Sequence, residues 1–173
     1  ISSTSQDMLS TLDSYLDQTQ AYDLQIQSTL GLTKADVTSL EKLSDVASVQ
    51  GIYAKDELIE PVARTTTRQE NDETAIAKVI GVPKQLNKIT LVKGQLPQKD
   101  NEIVVEEAYL KKNKVKIGDS LKMNDPDLTN ETYQIVGTVK SPLYFSKVHR
   151  GTTSLGDGRI DYFMYVKPSV FKQ

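Results

Sequence analysis

The chain has 173 residues, 38% of them hydrophobic and 25% charged, which suits one sizeable folded domain or two small subdomains and is too apolar for a disordered tail. With 21 Lys and Arg against 23 Asp and Glu its formal net charge is −2, which argues against a nucleic-acid partner, whose phosphates call for a basic face. It contains no cysteine, so disulfide scaffolds, thiolate zinc sites and cysteine nucleophiles are excluded together.

Ser2 to Gln20 reads as an amphipathic helix, with Met8, Leu9, Leu12, Tyr15 and Leu16 on one stripe and Ser, Thr, Asp and Gln opposite. Two readings stand: a surface helix packed on the domain, or a stalk continuing from a membrane helix. No run approaches the roughly 20 apolar residues that cross a bilayer. The first residue is Ile1 rather than Met, so the chain reads as an excised or processed piece whose membrane anchor could lie outside it.

Tyr22, Leu24 and Ile26 alternate with Asp23, Gln25 and Gln27, the signal of a half-buried strand. Thr33 can then cap a helix, with Asp36 placed to return the hydrogen bond and Leu32 to staple onto Val37. The helix should bury Val37, Leu40 and Leu43 and run out near Ser44-Asp45. A strand over Val49 to Ala54 would complete a right-handed βαβ unit. Pro61 to Thr67 is β-rich, Gln69 to Asp72 is a polar turn, and Thr74 to Val82 is apolar on both faces, as an interior strand is.

From Ile89 the texture changes to short strands between turn residues: Ile89–Val92, Gly94 to Pro97, Glu102–Val105, Gly118-Asp119, Leu121–Met123 and Thr132–Val139. One short helix, Glu106 to Lys112, interrupts them. Ser141 to Gly158 is a glycine-punctuated loop, Ile160 to Val166 an aromatic-rich strand, and Pro168 suits the first turn of a helix. The fold class expected is α+β.

Catalytic motifs fail on context. His149 is the one histidine, flanked by Lys147 and Arg150, and reads as a surface-loop residue. Ser39-Leu40-Glu41-Lys42 matches S-x-x-K, but no Ser-Asp-Asn or Lys-Thr-Gly accompanies it. Gly151 to Asp157 begins like a phosphate-binding loop and carries Asp where the phosphate lysine belongs. Asn124, Asp125, Asp127, Asn130 and Glu131 cluster oxygen ligands, yet counted from Asp125 the sixth and twelfth loop positions hold Asn130 and Val136, not Gly and Glu. A weak Ca²⁺ contact there is a minor alternative. Asn130-Glu131-Thr132 is also a glycosylation sequon. Glu102, Glu106 and Glu107 supply paired carboxylates, but at a helix start, where negative charge complements the dipole. No catalytic, cofactor or metal residue is assigned, and the chain is expected not to be an enzyme.

Several phrases, taken in order, resemble one family. They are Tyr22-Asp23-Leu24-Gln25-Ile26 through Ser28 to Thr33 and on to Val46–Tyr53; Val79-Ile80-Gly81-Val82-Pro83 with Leu86 to Pro97; Asn101 to Val105 with Lys116 to Leu121; Tyr133 to Val139 with Ser141 to Tyr144; and Gly151 to Gly156 with Asp161 to Val166. This order resembles the extracytoplasmic domain of FtsX/MacB-type ABC-transporter permeases, in the large form of Gram-positive bacteria. The resemblance implies a stalk helix over 1–20, an α/β Porter-like part over 21–88 plus 156–173, and a β-rich Sabre-like part over 89–155. It also implies a place on the extracellular side of the cell membrane, a cytoplasmic ATP-binding subunit as partner, a dimeric full-length protein, no cofactor, and a mechanical role toward a peptide, antimicrobial or lipid-type substrate or a partner protein. The chain departs from the family in stopping just after Pro168 to Phe171, where a helix and another strand would follow. A stand-alone cell-surface binding or adhesion module is the alternative.

Overall fold

The capping signal at Thr33 forms as its spacing predicts. In a computed structural model, described for residues 3–28, 31–62, 74–143 and 150–172, with first-helix side chains described from residue 11 onward, Thr33 Oγ1 accepts from the Asp36 N–H at 3.2 Å. The Asp36 carboxylate accepts from the Thr33 N–H at 2.7 Å. This box opens helix α2, Lys34–Glu41, after α1, Ser3–Thr19. Such a cap contributes about 1 kcal/mol.

The remaining elements are β1 (Ala54–Pro61), β2 (Ala75–Gly81), β3 (Thr90–Gly94), β4 (Glu102–Val105), α3 (Glu107–Asn113), β5 (Ser120–Lys122), β6 (Thr132–Lys140), β7 (Tyr162–Val166) and one 3₁₀ turn, Pro168–Val170. The strands join in the order β3-β6-β4-β7-β2-β1-β5, and β5 pairs again with β6. That second pairing closes β1, β2, β7, β4, β6 and β5 into a six-stranded mixed barrel, with β3 lying beyond β5 along the same edge of β6. Pairings β2–β7 and β4–β6 are parallel and the others antiparallel.

Period-two alternation fills the barrel. Ala77, Val79, Ile103, Val105, Tyr133, Ile135, Met164 and Val166 share one buried cluster with Ile59, Leu121 and Tyr109 of α3. The opposite faces of the same strands carry Ile80, Val104, Val136, Val139, Phe163 and Tyr165, covered by Val82, Ile89, Leu96 and Ile160. Strands β4 and β7 are therefore buried on both sides. Each large apolar side chain removed from water contributes about 1.5–3 kcal/mol.

The predicted βαβ unit does not form. Residues 22–26 are irregular and 23–26 are open to solvent, with Leu24 76% exposed, because among the described residues no strand pairs with them and the Tyr22 N–H goes to the Asn87 side chain. Where the expected second strand, Val49 to Ala54, is to end, β1 begins instead, and it pairs antiparallel with β2 rather than in parallel across a helix. On α2 no residue is buried; Val37 and Leu40 are half-buried and Leu43 is exposed. Gln95 to Pro97 is a loop, and the helix expected after Pro168 is a single 3₁₀ turn. The interior strand at β2, the strands at β4, β5, β6 and β7 and the helix at α3 stand where the sequence places them, within two residues. The β-rich reading beyond Val62 and the turn at Gln69 to Asp72 lie outside the described residues.

Strand β3 sits against β6 through two glycines. Gly94 has φ +76°, and a Cβ there would collide with the Val136 carbonyl oxygen; a Cβ on Gly137 would lie 2.6 Å from Gln95 O and 2.7 Å from Lys93 O. These are backbone atoms at a register shift between Leu91 and Lys93, so nothing soft can give way. Gly137→Ala is expected to cost about 2–3 kcal/mol, read as a lower urea midpoint in equilibrium unfolding; an unchanged midpoint would show that β3 has room to shift.

Candidate functional site

The stretch from Gly81 to Lys88, between β2 and β3, collects the ends of several elements. At its far end the helix α1 is fastened: Lys88 N–H donates to Thr19 O at 2.8 Å and Asn87 N–H to Gln20 O at 2.9 Å. The Asn87 side-chain oxygen accepts from the Tyr22 N–H at 2.9 Å. Asn87 is buried and left-handed, φ 55°, a backbone region that asparagine tolerates better than most residues. Gln20, the residue that leaves α1, is left-handed as well, φ 52°. Two chain reversals thus face each other and exchange hydrogen bonds.

In the middle, Gln50 brackets the stretch. Its side-chain oxygen accepts from the N–H groups of Lys84 at 3.0 Å, Gln85 at 2.6 Å and Leu86 at 3.2 Å, while its amide donates to Leu86 O at 3.2 Å. Three successive N–H groups converging on one oxygen form a small nest that holds the turn rigid. At the near end, Val82 N–H donates to Val166 O at 2.8 Å, and Pro168 packs within 3.4 Å of where a Gly81 Cβ would stand. Helix α1, the segment before β1, and the strand β7 with its 3₁₀ turn are all tied to these eight residues.

A second fastening holds the loop before β7. The Arg150 guanidinium meets the Glu106 carboxylate through two bonds, 2.5 and 2.8 Å, and donates to Asp161 O at 2.8 Å. Glu106 Oε2 also accepts from the Phe163 N–H at 2.9 Å, and the guanidinium lies 5.2 Å over the Phe163 ring. Both side chains are largely buried, so this two-pronged pair is worth more than a solvated one.

The residues singled out by chemistry are placed separately. Glu102 accepts from the Gln98 and Lys99 N–H groups, Glu106 is the Arg150 partner, and Glu107 pairs with Lys93 at 3.2 Å. Ser39 donates its hydroxyl to Ala35 O along α2, and Lys42 caps that helix in solvent. Asp157 accepts from Arg159 in a turn beside Gly156 and Gly158, both with positive φ. The oxygen-rich loop after β5 holds a cation of its own: Lys55 Nζ lies 2.5 Å from Asp125 and 2.7 Å from Asp127. Asn130 turns instead to Asp100 O. Among the described residues no group of three or more ligands is arranged to hold a metal, and no helix is long and apolar enough to cross a membrane. His149 lies outside the described residues.

No protein-family model matches the chain, and no curated protein matches it. Among solved structures, the extracellular domain of the noncanonic ABC-type transporter YknZ from Gram-positive bacteria superimposes with a TM-score of 0.46 at 14% sequence identity, covering 82% of this chain and 65% of that one.

The α1 junction makes a local prediction. Asn87→Ala removes the Tyr22 bond and strains the left-handed turn, at a cost of about 1–2 kcal/mol. Amide exchange should accelerate at Tyr22, Asn87 and Lys88 while the β4 and β6 amides keep their protection. Equal acceleration throughout would show that the junction is not a separate fastening.

Proposed function

We propose that this chain is the extracytoplasmic domain of an ABC-transporter permease of the FtsX/MacB type, relaying ATP-driven movement of membrane helices to a substrate or partner protein outside. The observation that carries the reading is the shared fastening at Gly81–Lys88. A displacement of α1 acts there directly on β2 and β3 through backbone hydrogen bonds, without passing through a flexible linker. The ordered phrases from Tyr22 to Val166 support the same reading.

In this reading the two sequence parts are two arcs of one barrel. The part comprising 21–88 and 156–173 supplies β1, β2 and β7; the part 89–155 supplies β4, β5 and β6, with β3. They meet at two seams, β4–β7 and β1–β5. Residues 1–20 form the stalk. The partner is a cytoplasmic ATP-binding subunit acting through membrane helices of a dimeric full-length protein, and the domain moves its target without chemistry of its own. Candidate substrates are peptides, antimicrobials and lipid-type molecules.

A stand-alone surface module is the second reading, favoured by Leu24, Ile26, Leu43 and Ile52, exposed large apolar side chains in the segments before and after α2. This chain carries no cysteine of its own, so the test needs a full-length protein in which any cysteine elsewhere has been replaced. In the full-length protein, a single cysteine at exposed Lys112 should react with a membrane-impermeant maleimide on intact cells, and the labelled protein should stay with the membrane through an alkaline wash. Release by the wash would favour the surface module. Labelling only after permeabilisation would overturn both readings.

A further inference from the structure

Glu57 points into the barrel from β1, on the same face as Ile59, and is only 4% exposed. Among the described residues no N–H or O–H reaches its Oε1. Another carboxyl group is brought to it: Lys55, two residues away on the same face of β1, holds Asp125 of the β5–β6 loop at 2.5 Å, and that carboxyl acts on Glu57. Two carboxylates are acceptors only, so a bond between them needs a proton on one of them. The groups facing Glu57 are Asp125 and Asp127 from that loop, Lys55 from its own strand, and Tyr133 from β6; its ladder partner on β2 is the apolar Ala77.

The loop that Asp125 anchors is itself a docking point. Thr129 N–H donates to Val170 O, Lys172 N–H to Asp127 O, and Lys172 Nζ to Pro126 O at 2.7 Å. Leu128 bridges to Phe171, whose ring stacks on Tyr53 at 5.7 Å. Whatever fixes Asp125 to β1 therefore also fixes the segment that follows β7.

We propose that Glu57 and Asp125 share one proton, and that this proton latches the β5–β6 loop and the turn after β7 onto β1, so that the latch is closed at neutral and mildly acidic pH and opens in alkali.

The electrostatics agree. Burial, then the Asp125 hydrogen bond and its negative charge, push the Glu57 carboxyl up to about 8, against an opposing pull from Lys55. Burial would raise Asp125 too, but the Lys55 ammonium and the Asp127 N–H outweigh it and hold it below its ordinary value. The proton thus belongs to Glu57, and Asp125 with Lys55 forms the charged side of the latch. Because the folded value lies above the unfolded one, Glu57 contributes stability that is fully present below the ordinary 4.5 and is lost as pH rises to and through about 8. Asp125 acts in the opposite sense and matters only in stronger acid.

The test compares thermal unfolding of the whole chain with that of Glu57→Gln, whose amide can still donate to Asp125 but cannot ionise. Between about pH 6 and about pH 9 the wild type should lose stability that the variant keeps, so that the variant is the more stable of the two in alkali. Protection of the Leu128, Thr129 and Lys172 amides, taken relative to their intrinsic base-catalysed rates, should fall in the wild type alone over the same range. Parallel pH profiles and exchange rates would overturn the proposal. Should the variant fail to fold, infrared spectra of the wild type decide: a protonated carboxyl band at neutral pH that bleaches near pH 8 is required, and its absence ends the idea.

Discussion

Closure of the sheet is the constraint on which the rest depends. It rests on β5, three residues that bond β1 on one side and β6 on the other. Without that double pairing, β1 and β6 would each present an open edge, and the cluster around Leu121, Met123 and Tyr133 would lose one wall. With it, the interior must be filled by side chains from both sequence parts at once. That is why Ile59 and Val79 share a core with Ile103 and Ile135. Strand β3 is paired on one side, with β6, and Lys93 stands on it, a charge of the kind that discourages edge-to-edge association.

Elements whose burial follows a simple pattern were legible from residues alone. β2, β4 and β7 read as apolar runs because both of their faces are covered, and β6 reads as a long alternation ending in Val139. The capping box at Thr33 needs only local chemistry, so it survives although its helix buries nothing. β1 was not legible because it inverts the usual pattern: Glu57 faces inward while Leu58, 45% exposed, faces out. Read as amphipathicity, Lys55 to Glu60 is a polar connection; read with Asp125 and Lys55 in place, it is a strand with a protonated acid in its core. The alternation at Tyr22 to Ile26 misled in the other direction, since a half-buried strand needs a neighbour and none comes.

The candidate site was hidden for a different reason. Asn87 and Gln50 act through backbone groups 34 or more residues away, and no spacing rule connects them. The one available signal was Asn87 itself, an asparagine in a short polar break, a composition suited to a left-handed turn. Arg150 and Glu106 are 44 residues apart and meet only because α3 starts beside β7. The carboxylates that composition offered as paired acids are divided among three separate tasks: a turn cap, a guanidinium clasp and a lysine pair.

A barrel closed from two arcs, with a helix tied to one of its loops, suits the transmission of displacement: strands that share backbone bonds across both seams move together. Native-state hydrogen exchange across a urea series measures whether they do. The β1 and β2 amides and the β4 and β6 amides should converge on one opening free energy, with the junction residues opening earlier. If the segment carrying β4, β5 and β6 exchanged through its own, lower-energy opening while β1, β2 and β7 stayed protected, the arcs would be independent bodies and the single-barrel account would be contradicted.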